Sequence, residues 1–425
     1  MESRDRRMKI TISSPDGLGD FILRVPMIRA LLDDGHRLQM LLRRPAADLA
    51  AAVFPGIERH EISADPYHPG TRGRRNPFRG EMAAIRKFAP DLYVAGLFSI
   101  NYFDQVWMEF GDRRVRVAGF DSPDRFWPST TTCDPRDLSR QFEIRTGVSV
   151  DLPELEKNRL LASAILGREL RLKPPKLAPG LADLDSADGL LSKFGLERGG
   201  YWIACVGTRA GLIKKDWGEE NWQRFFSLTM ASDARPVLFL GNPREFESIE
   251  RIRSGLPASG YSVNLAGEPP PIGVSLALVA MAQGYLGRDS GVMHMASAAG
   301  RPVLAVYGGG HWGRFLPSSG PAVVTTRPVT CRGCDFCCPY ERPWCVTDVR
   351  FETMSAAWKR LPLATGVEVI EEADGEDRKL LSCLEVRERA PAAQIARQKS
   401  EQAERTKSFP ARLADSFFSR WTGRK

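Results

Sequence analysis

Gly287-Arg-Asp-Ser-Gly-Val-Met-His-Met-Ala-Ser-Ala-Ala-Gly-Arg-Pro-Val-Leu-Ala-Val306 is the stretch on which the reading of this chain turns. The tight polar turn Asp289-Ser290-Gly291 runs straight into a helical pattern with small residues along one face. Gly300-Arg301-Pro302 ends that pattern, and the strand-like run from Val303 to Val306 follows. A strand–turn–helix–strand unit gathers free backbone N–H groups and the positive end of a helix dipole at one point, where a phosphate or diphosphate is the usual guest. The same residues also suit an ordinary α/β connection with a Ser-capped helix, so this stretch alone leaves both readings open.

Working outward, Tyr201-Trp-Ile-Ala-Cys-Val, Pro236-Val-Leu-Phe-Leu-Gly, Gly284-Tyr-Leu-Gly and Pro302-Val-Leu-Ala-Val-Tyr read as strands between helical segments. The first 170 residues alternate in the same way. Lys9-Ile-Thr-Ile-Ser is a strand, Phe21 to Leu32 a helix, and Arg37-Leu-Gln-Met-Leu-Leu a second strand. Asp91-Leu-Tyr-Val-Ala-Gly and Arg114-Val-Arg-Val-Ala-Gly-Phe follow as two more. Strands alternating with helices predict parallel, doubly wound sheets. Leu172-Lys-Pro-Pro-Lys-Leu-Ala-Pro-Gly180 is the clearest linker signal. The expected organisation is therefore α/β, with two Rossmann-like domains facing a cleft. Residues 1–172 form the first domain, 173–186 a Pro-rich linker and 187–365 the second domain, with 366–425 a charged, basic extension. Ligands of such pairs sit at the carboxyl ends of the strands.

A chain of 425 residues is long enough for two cores of this size. No apolar run approaches the ~18–20 residues that span a bilayer, and the charged start Met1-Glu-Ser-Arg-Asp-Arg-Arg lacks the apolar core of a secretory signal. The cytoplasm is the expected location. The formal charge of +8 is concentrated. Residues 387–425 carry ten Lys/Arg against four Asp/Glu, and Arg72, Arg74, Arg75 and Arg79 form a second basic cluster. No nucleic-acid motif accompanies them, so anionic lipid or glycan is the expected contact rather than nucleic acid.

Two further loops carry chemistry. In Ser13-Ser-Pro-Asp-Gly-Leu-Gly-Asp20, Gly17 and Gly19 let the backbone approach a ligand, and Asp20 falls at the start of the first helix, as a cleft residue or as a helix cap. The spacing is not the G-x-G-x-x-G of dinucleotide sites. In Gly207-Thr-Arg-Ala-Gly-Leu-Ile-Lys-Lys-Asp-Trp217, Thr208, Arg209, Lys214 and Lys215 place hydroxyl, guanidinium and ammonium donors on one loop, a set suited to a diphosphate. A solvated surface loop is the alternative.

In order, Gly-Leu-Gly-Asp20, Lys215-x-Trp217, Phe239-Leu-Gly-Asn-Pro-Arg-Glu245, Asn264-Leu-Ala-Gly and Asp289-Ser-Gly-Val-Met-His294 form a series, with Arg116-Val-Ala-Gly-Phe120 beside it. The series resembles glycosyltransferase family 9, the ADP-heptose:lipopolysaccharide heptosyltransferases, over roughly residues 8–365. The resemblance implies a GT-B fold with the acceptor on the first domain and a nucleotide sugar on the second. It also implies an inverting single displacement from an ADP-heptose-like donor to a lipopolysaccharide-type acceptor, with no cofactor and no metal required. Position by position it implies Asp20 as the general base. Thr208, Arg209, Lys215, Asp289, Ser290, Gly291 and His294 fall on the donor side, Glu245 is a ribose ligand, and His294 is equally well a packed histidine. The same fold with another nucleotide sugar, or a non-catalytic nucleotide- or glycan-binding protein, remains the alternative. The chain departs from the pattern at Asp16, which adds a second carboxylate near Asp20. It departs again at Gly309-Gly-His-Trp-Gly313, expected to border the donor sugar. Asp183-Leu-Asp185 imitates a metal-binding D-x-D but reads as helix-start carboxylates.

Five of the eight cysteines lie within residues 331–345. Cys331, Cys334, Cys338 and Cys345 have spacing compatible with structural zinc or an iron–sulfur centre, with labile disulfides, or with packed thiols. In the extension, Phe409, Leu413, Phe417 and Trp421 recur every four residues among arginines. An amphipathic helix over 409–422 would lie peripherally on an anionic membrane at its cytoplasmic face; docking on the protein's own body, or a disordered tail, is the alternative.

Overall fold

The computed structural model describes residues 7–66, 77–98, 101–121, 141–208, 213–257, 261–334, 338, 340 and 342–372. The basic residues Arg72, Arg74 and Arg75 and the whole segment 409–422 lie outside the described residues.

In the first domain β1 (Lys9–Ser14), β2 (Arg37–Leu42), β3 (Glu58–Glu61), β4 (Leu92–Ala95), β5 (Arg116–Asp121) and β6 (Ile144–Gly147) form one sheet in the order β3-β2-β1-β4-β5-β6. Every pairing is parallel. Its helices are α1 (Leu18–Asp33), α2 (Ala46–Val53), α3 (Arg79–Phe88), α4 (Tyr102–Phe110) and α5 (Glu154–Leu166).

The second domain repeats the winding. Its strands are β7 (Trp202–Cys205), β8 (Val237–Phe239), β9 (Ser262–Asn264), β10 (Tyr285–Arg288), β11 (Val303–Val306), β12 (Ala322–Thr326) and β13 (Val367–Glu371). They run in the order β13-β12-β11-β10-β7-β8-β9, all parallel. Helices α6 (Leu181–Lys193), α7 (Glu219–Ser232), α8 (Phe246–Ser254), α9 (Ile272–Met281), α10 (Gly291–Ala298), α11 (Trp344–Thr347) and α12 (Phe351–Arg360) cover it.

Two expected boundaries move. The linker ends at Gly180, because Leu181 opens α6; residues 181–186 are helical, with Asp183 in the first turn as the D-x-D reading anticipated. The Asp183 carboxylate lies so close to Gly273, near the N-terminus of α9, that a Cβ there would sit 2.5 Å from its oxygens, a favourable place for negative charge. The linker is docked: Leu177 is buried, and its N–H donates to the Ala298 carbonyl at 2.9 Å. The second domain also runs past 365, since β13 pairs with β12. Glu372 just beyond it accepts from the Arg350 backbone at 3.0 Å and from the Arg350 guanidinium at 2.6 Å. The half-polar sequence of this edge strand hides it from an apolar-run reading.

Helix α1 explains how the domains meet. Leu18, Phe21, Ile22, Leu23, Val25, Met27, Ile28 and Leu31 are all buried, so it is apolar nearly all round. A helix of that kind is covered on both sides. One side packs on its own domain, including α5, and its N-terminal turns pack on α10 of the second domain. Each such side chain contributes roughly 1.5–3 kcal/mol on burial. A single apolar cluster therefore continues from Ile10 and Ile12 through Phe21 to Met293, Met295 and Val303.

The contact requires glycine on both helices. A Cβ on Gly19 would lie 2.7 Å from Cδ2 of His294, and one on Gly291 would lie 2.8 Å from Cβ of Leu18. Gly19→Ala is thus expected to lower unfolding stability by about 1–3 kcal/mol in urea titration. Gly80→Ala, in α3 where an added Cβ meets nothing within 4 Å, should be neutral or slightly stabilising.

Candidate functional site

The order reversals of the two sheets fall between β1 and β4 and between β7 and β10, and the predicted site residues sit beyond those strand ends. Asp20 is the third residue of α1. It accepts from the Gly17 backbone N–H at 3.3 Å, so it does the work of a helix-start carboxylate. It is also the most perturbed carboxyl of the cleft. Burial pushes it up to about 8, with the negative charges of Asp16 and Glu154 adding to the shift and Arg24 and Arg314 opposing it. A carboxyl poised there suits proton transfer near neutrality.

Sequence reading missed the framework behind Asp20. Arg24 is completely buried one turn along α1. Its guanidinium pairs with Asp16 at 3.0 Å, donates to the Gly96 carbonyl at 2.7 Å and to Asn158 Oδ1 at 3.3 Å, and bonds Ser14 Oγ. Asp16, read only as an extra carboxylate, is thereby committed to Arg24, and Ser14 Oγ donates to it at 2.8 Å. Across from this pair, Glu154 at the start of α5 meets Arg314 at 3.2 Å and Lys157 at 3.6 Å. An isolated arginine in an apolar helix, Leu23-Arg24-Val25, was the available signal.

On the second domain, Ser290 caps α10: its Oγ accepts from Met293 N–H at 3.3 Å and lies 3.0 Å from the Tyr285 hydroxyl. The helix start at Gly291 is partly exposed and faces Leu18 and Gly19 of α1. Asp289 is buried behind it, and Lys215 reaches its Oδ2 at 2.6 Å. Burial raises Asp289, but Lys215, His294 and His311 outweigh it and hold the carboxylate below its ordinary value. His294 is buried; burial drives it down to about 4, with Asp289 pulling the other way and Lys215 reinforcing the drop. It is a neutral ring whose Nδ1 finds no hydrogen-bond partner among the described residues. Its position against Gly19 makes it an interdomain packing residue.

Trp217 of the Lys-x-Trp pair anchors that loop. Its buried indole donates to the Val349 carbonyl at 2.6 Å and meets Trp222 edge to face at 4.9 Å. Thr208 is held by backbone bonds with Ser248 Oγ at 3.0 and 3.3 Å. Arg209 lies outside the described residues. Glu245, the expected ribose ligand, has both oxygens engaged: Oε1 with Arg288 at 2.8 Å and Oε2 with the Asn242 N–H at 2.9 Å. As arranged here it caps a turn and neutralises the buried Arg288.

Cys331, Cys334, Cys338 and Cys345 come together around one small cavity of about 20 Å³, which Lys214, Gly309 and Gly310 also line. Burial pushes the Cys345 thiol up to about 12, with Cys331 and Cys338 adding to the shift. Among the described residues no three His, Cys, Asp or Glu side chains converge in a metal-holding group. The cysteine knuckle backs the Lys214–Lys215 and Gly308–Gly310 loops. A cavity of about 550 Å³ lies elsewhere, at the amino ends of β1, β4 and β5 among Arg86, Asp91, Arg114 and Arg116.

The Asp20 environment has a thermodynamic consequence. Its carboxyl ionises near pH 4 in the unfolded chain and near 8 in the fold, so between those values the folded state binds the extra proton. Its contribution to stability therefore falls as pH rises through that window. Asp20→Asn should melt above the parent at pH 8 and level with it at pH 4, as read by calorimetry. Equal melting temperatures at both values would contradict the assignment.

Residues 138–334 match the family described as glycosyltransferase family 9 (heptosyltransferase). Lipooligosaccharide heptosyltransferase 2 of Haemophilus influenzae is 30% identical over 106 residues, a stretch covering 24% of this chain and 30% of that protein. The ADP-heptose lps heptosyltransferase II structure from E. coli superimposes with a TM-score of 0.60 and 19% identity, over 84% of this chain and 99% of that one. A family 9 glycosyl transferase of Veillonella parvula gives 0.59 and 16%, over 84% and 97%. E. coli heptosyltransferase WaaC with ADP gives 0.52 and 18%, over 75% and 92%. Among the described residues no helix is long and apolar enough to cross a membrane. The two parallel-sheet domains have the GT-B architecture of these structures, and residues 138–334 make the chain similar to glycosyltransferase family 9.

Proposed function

We propose that this protein is an inverting glycosyltransferase. It moves a sugar, with heptose favoured, from a nucleoside diphosphate to a lipopolysaccharide-type acceptor in the cytoplasm or at the inner membrane face. The observation that carries the reading is the abutment of two helix starts from different domains. Asp20 lies on one, and the Ser290–Gly291 turn with Lys215 lies behind the other. Asp20 takes the proton of the acceptor hydroxyl as that oxygen attacks the anomeric carbon and the bond to the diphosphate breaks. The N–H groups opening α10 receive the charge growing on the departing diphosphate, and Lys215 shares it, exchanging part of its contact with Asp289 for the phosphate oxygens. Nothing in this scheme needs a cofactor or a metal. The family likeness and the curated relative's name favour ADP-heptose and a lipooligosaccharide acceptor.

A panel of ADP-, GDP- and UDP-sugars tested by thermal shift should give one class that stabilises the protein, by about 2.7 kcal/mol at a hundred times its Kd. Asp20→Asn should keep that binding and lose about 10²–10⁴ in kcat. Lys215→Met should weaken nucleotide binding roughly 10- to 100-fold, the cost of one charge-assisted contact. Full turnover by Asp20→Asn would remove the base assignment. Silence toward every nucleotide sugar would favour a non-catalytic binding protein.

A further inference from the structure

We propose that Arg24 is a positioning residue for the base: its guanidinium ties together the three segments behind Asp20 and so fixes the loop that holds the Asp20 carboxylate. The proposal rests on the transfer reading above. Arg24 is the charged member of an otherwise apolar buried set on α1, one turn beyond Asp20. It is 0% exposed. Its Nη2 donates to Asp16 Oδ2 at 3.0 Å and to the Gly96 carbonyl at 2.7 Å. Its Nη1 donates to Asp16 Oδ1 at 3.3 Å and to Ser14 Oγ, and its Nε donates to Asn158 Oδ1 at 3.3 Å. The end of β1 with its loop, the residue after β4, and α5 thus meet on one planar group.

Stability alone does not call for such a group. A buried ion pair is often replaced by apolar side chains of similar volume without loss, so an arginine kept in an apolar helix points to a demand for geometry. A guanidinium meets that demand because its donors are fixed in a plane, whereas an ammonium is a single point charge. The neighbours are shaped to receive it. A Cβ on Gly96 would lie 3.2 Å from Arg24 Nε and 2.5 Å from the Ser13 carbonyl oxygen, so the chain after β4 approaches this closely only as glycine. Asn158 is oriented from its other side, its Nδ2 donating to the Glu154 carbonyl at 2.9 Å. The link to Asp20 is short and runs through contacts and bonds. Arg24 holds Asp16, Asp16 is joined by a peptide bond to Gly17, and the Gly17 N–H donates to Asp20 Oδ2 at 3.3 Å. Asp16, the other half of the pair, is where the chain departs from the family's pattern. Loosening the clamp frees the loop, and Asp20 then loses the N–H that orients its carboxylate.

The test is a double-mutant cycle between Arg24 and Asp20 in the full-length protein, with turnover and ADP binding both read. Arg24→Lys keeps a cation for Asp16 and gives up the planar fork. It should lower kcat roughly 10- to 100-fold, the cost of a misplaced group, while its Kd for ADP stays within about twofold of the parent. In the Asp20→Asn background the same change should alter the residual kcat by less than about twofold, because its route to the reaction is already cut. Arg24→Met with Asp16→Asn removes both charges together, so no buried ion is left alone, and it should give the same cycle. A purely structural role would lower kcat by the same factor in both backgrounds; that result, or parental kcat in either variant, overturns the proposal. The crystal structure of Arg24→Lys gives a reading without turnover. Gly17 N and Asp20 Oδ2 should stand beyond hydrogen-bond distance, and an unmoved loop at residues 14–17 overturns the proposal. Absence of turnover with every nucleotide sugar in the parent would defeat the transfer reading, while that structure would still decide the role of Arg24.

Discussion

The arrangement depends on one contact, the meeting of two helix N-termini across the domain boundary. Helix starts carry partial positive charge and unpaired N–H groups, so placing two of them together is unfavourable unless something negative lies between or beside them. Asp20 on α1 and Asp289 behind α10 supply that charge, and Gly19 and Gly291 remove the Cβ atoms that would hold the helices apart. The apolar cluster running through α1 into the second domain makes this close approach stable. The proposed diphosphate and hydroxyl sites lie on either side of that packing.

Burying so much charge demands compensation, and the two halves solve it differently. On the donor side Asp289 is matched directly by Lys215, and Glu245 by Arg288. On the first domain the balance is uneven: Asp16 is matched by Arg24 and Glu154 by Arg314 and Lys157, but Asp20 forms no ion pair among the described residues. That imbalance, with burial as its larger part, is what lifts Asp20 toward neutrality. The proposed general base is thus the carboxylate of this cluster whose charge is least compensated.

Much of this was legible in the sequence for physical reasons. Buried parallel strands are apolar runs, so β1, β2, β7, β10 and β11 stand out, and the glycines flanking α1 and α10 mark close approach. The polar edge strand β3, Glu58-Arg-His-Glu, and the edge strand β13 carry no such run and were not read as strands. The pairings behind the site were also hidden. Arg24 and Asn158 are 134 positions apart, and Glu154 and Arg314 are 160 apart, so only the folded topology shows that they serve one carboxylate. Glu245 and His294 show the opposite limit. Their motif positions could be read, but their partners, Arg288 and the backbone of Gly19, turn one into a cap and the other into a spacer.

The central claim is that the start of α10 is the diphosphate site facing Asp20, and a crystal structure of the protein with ADP tests it most directly. The account predicts phosphate oxygens within hydrogen-bond distance of the N–H groups of Gly291 and Val292 and of Lys215 Nζ, with Asp20 on the opposite wall. ADP seated elsewhere, for instance in the arginine-lined cavity at the amino ends of the first sheet, with the α10 start left bare, would contradict it.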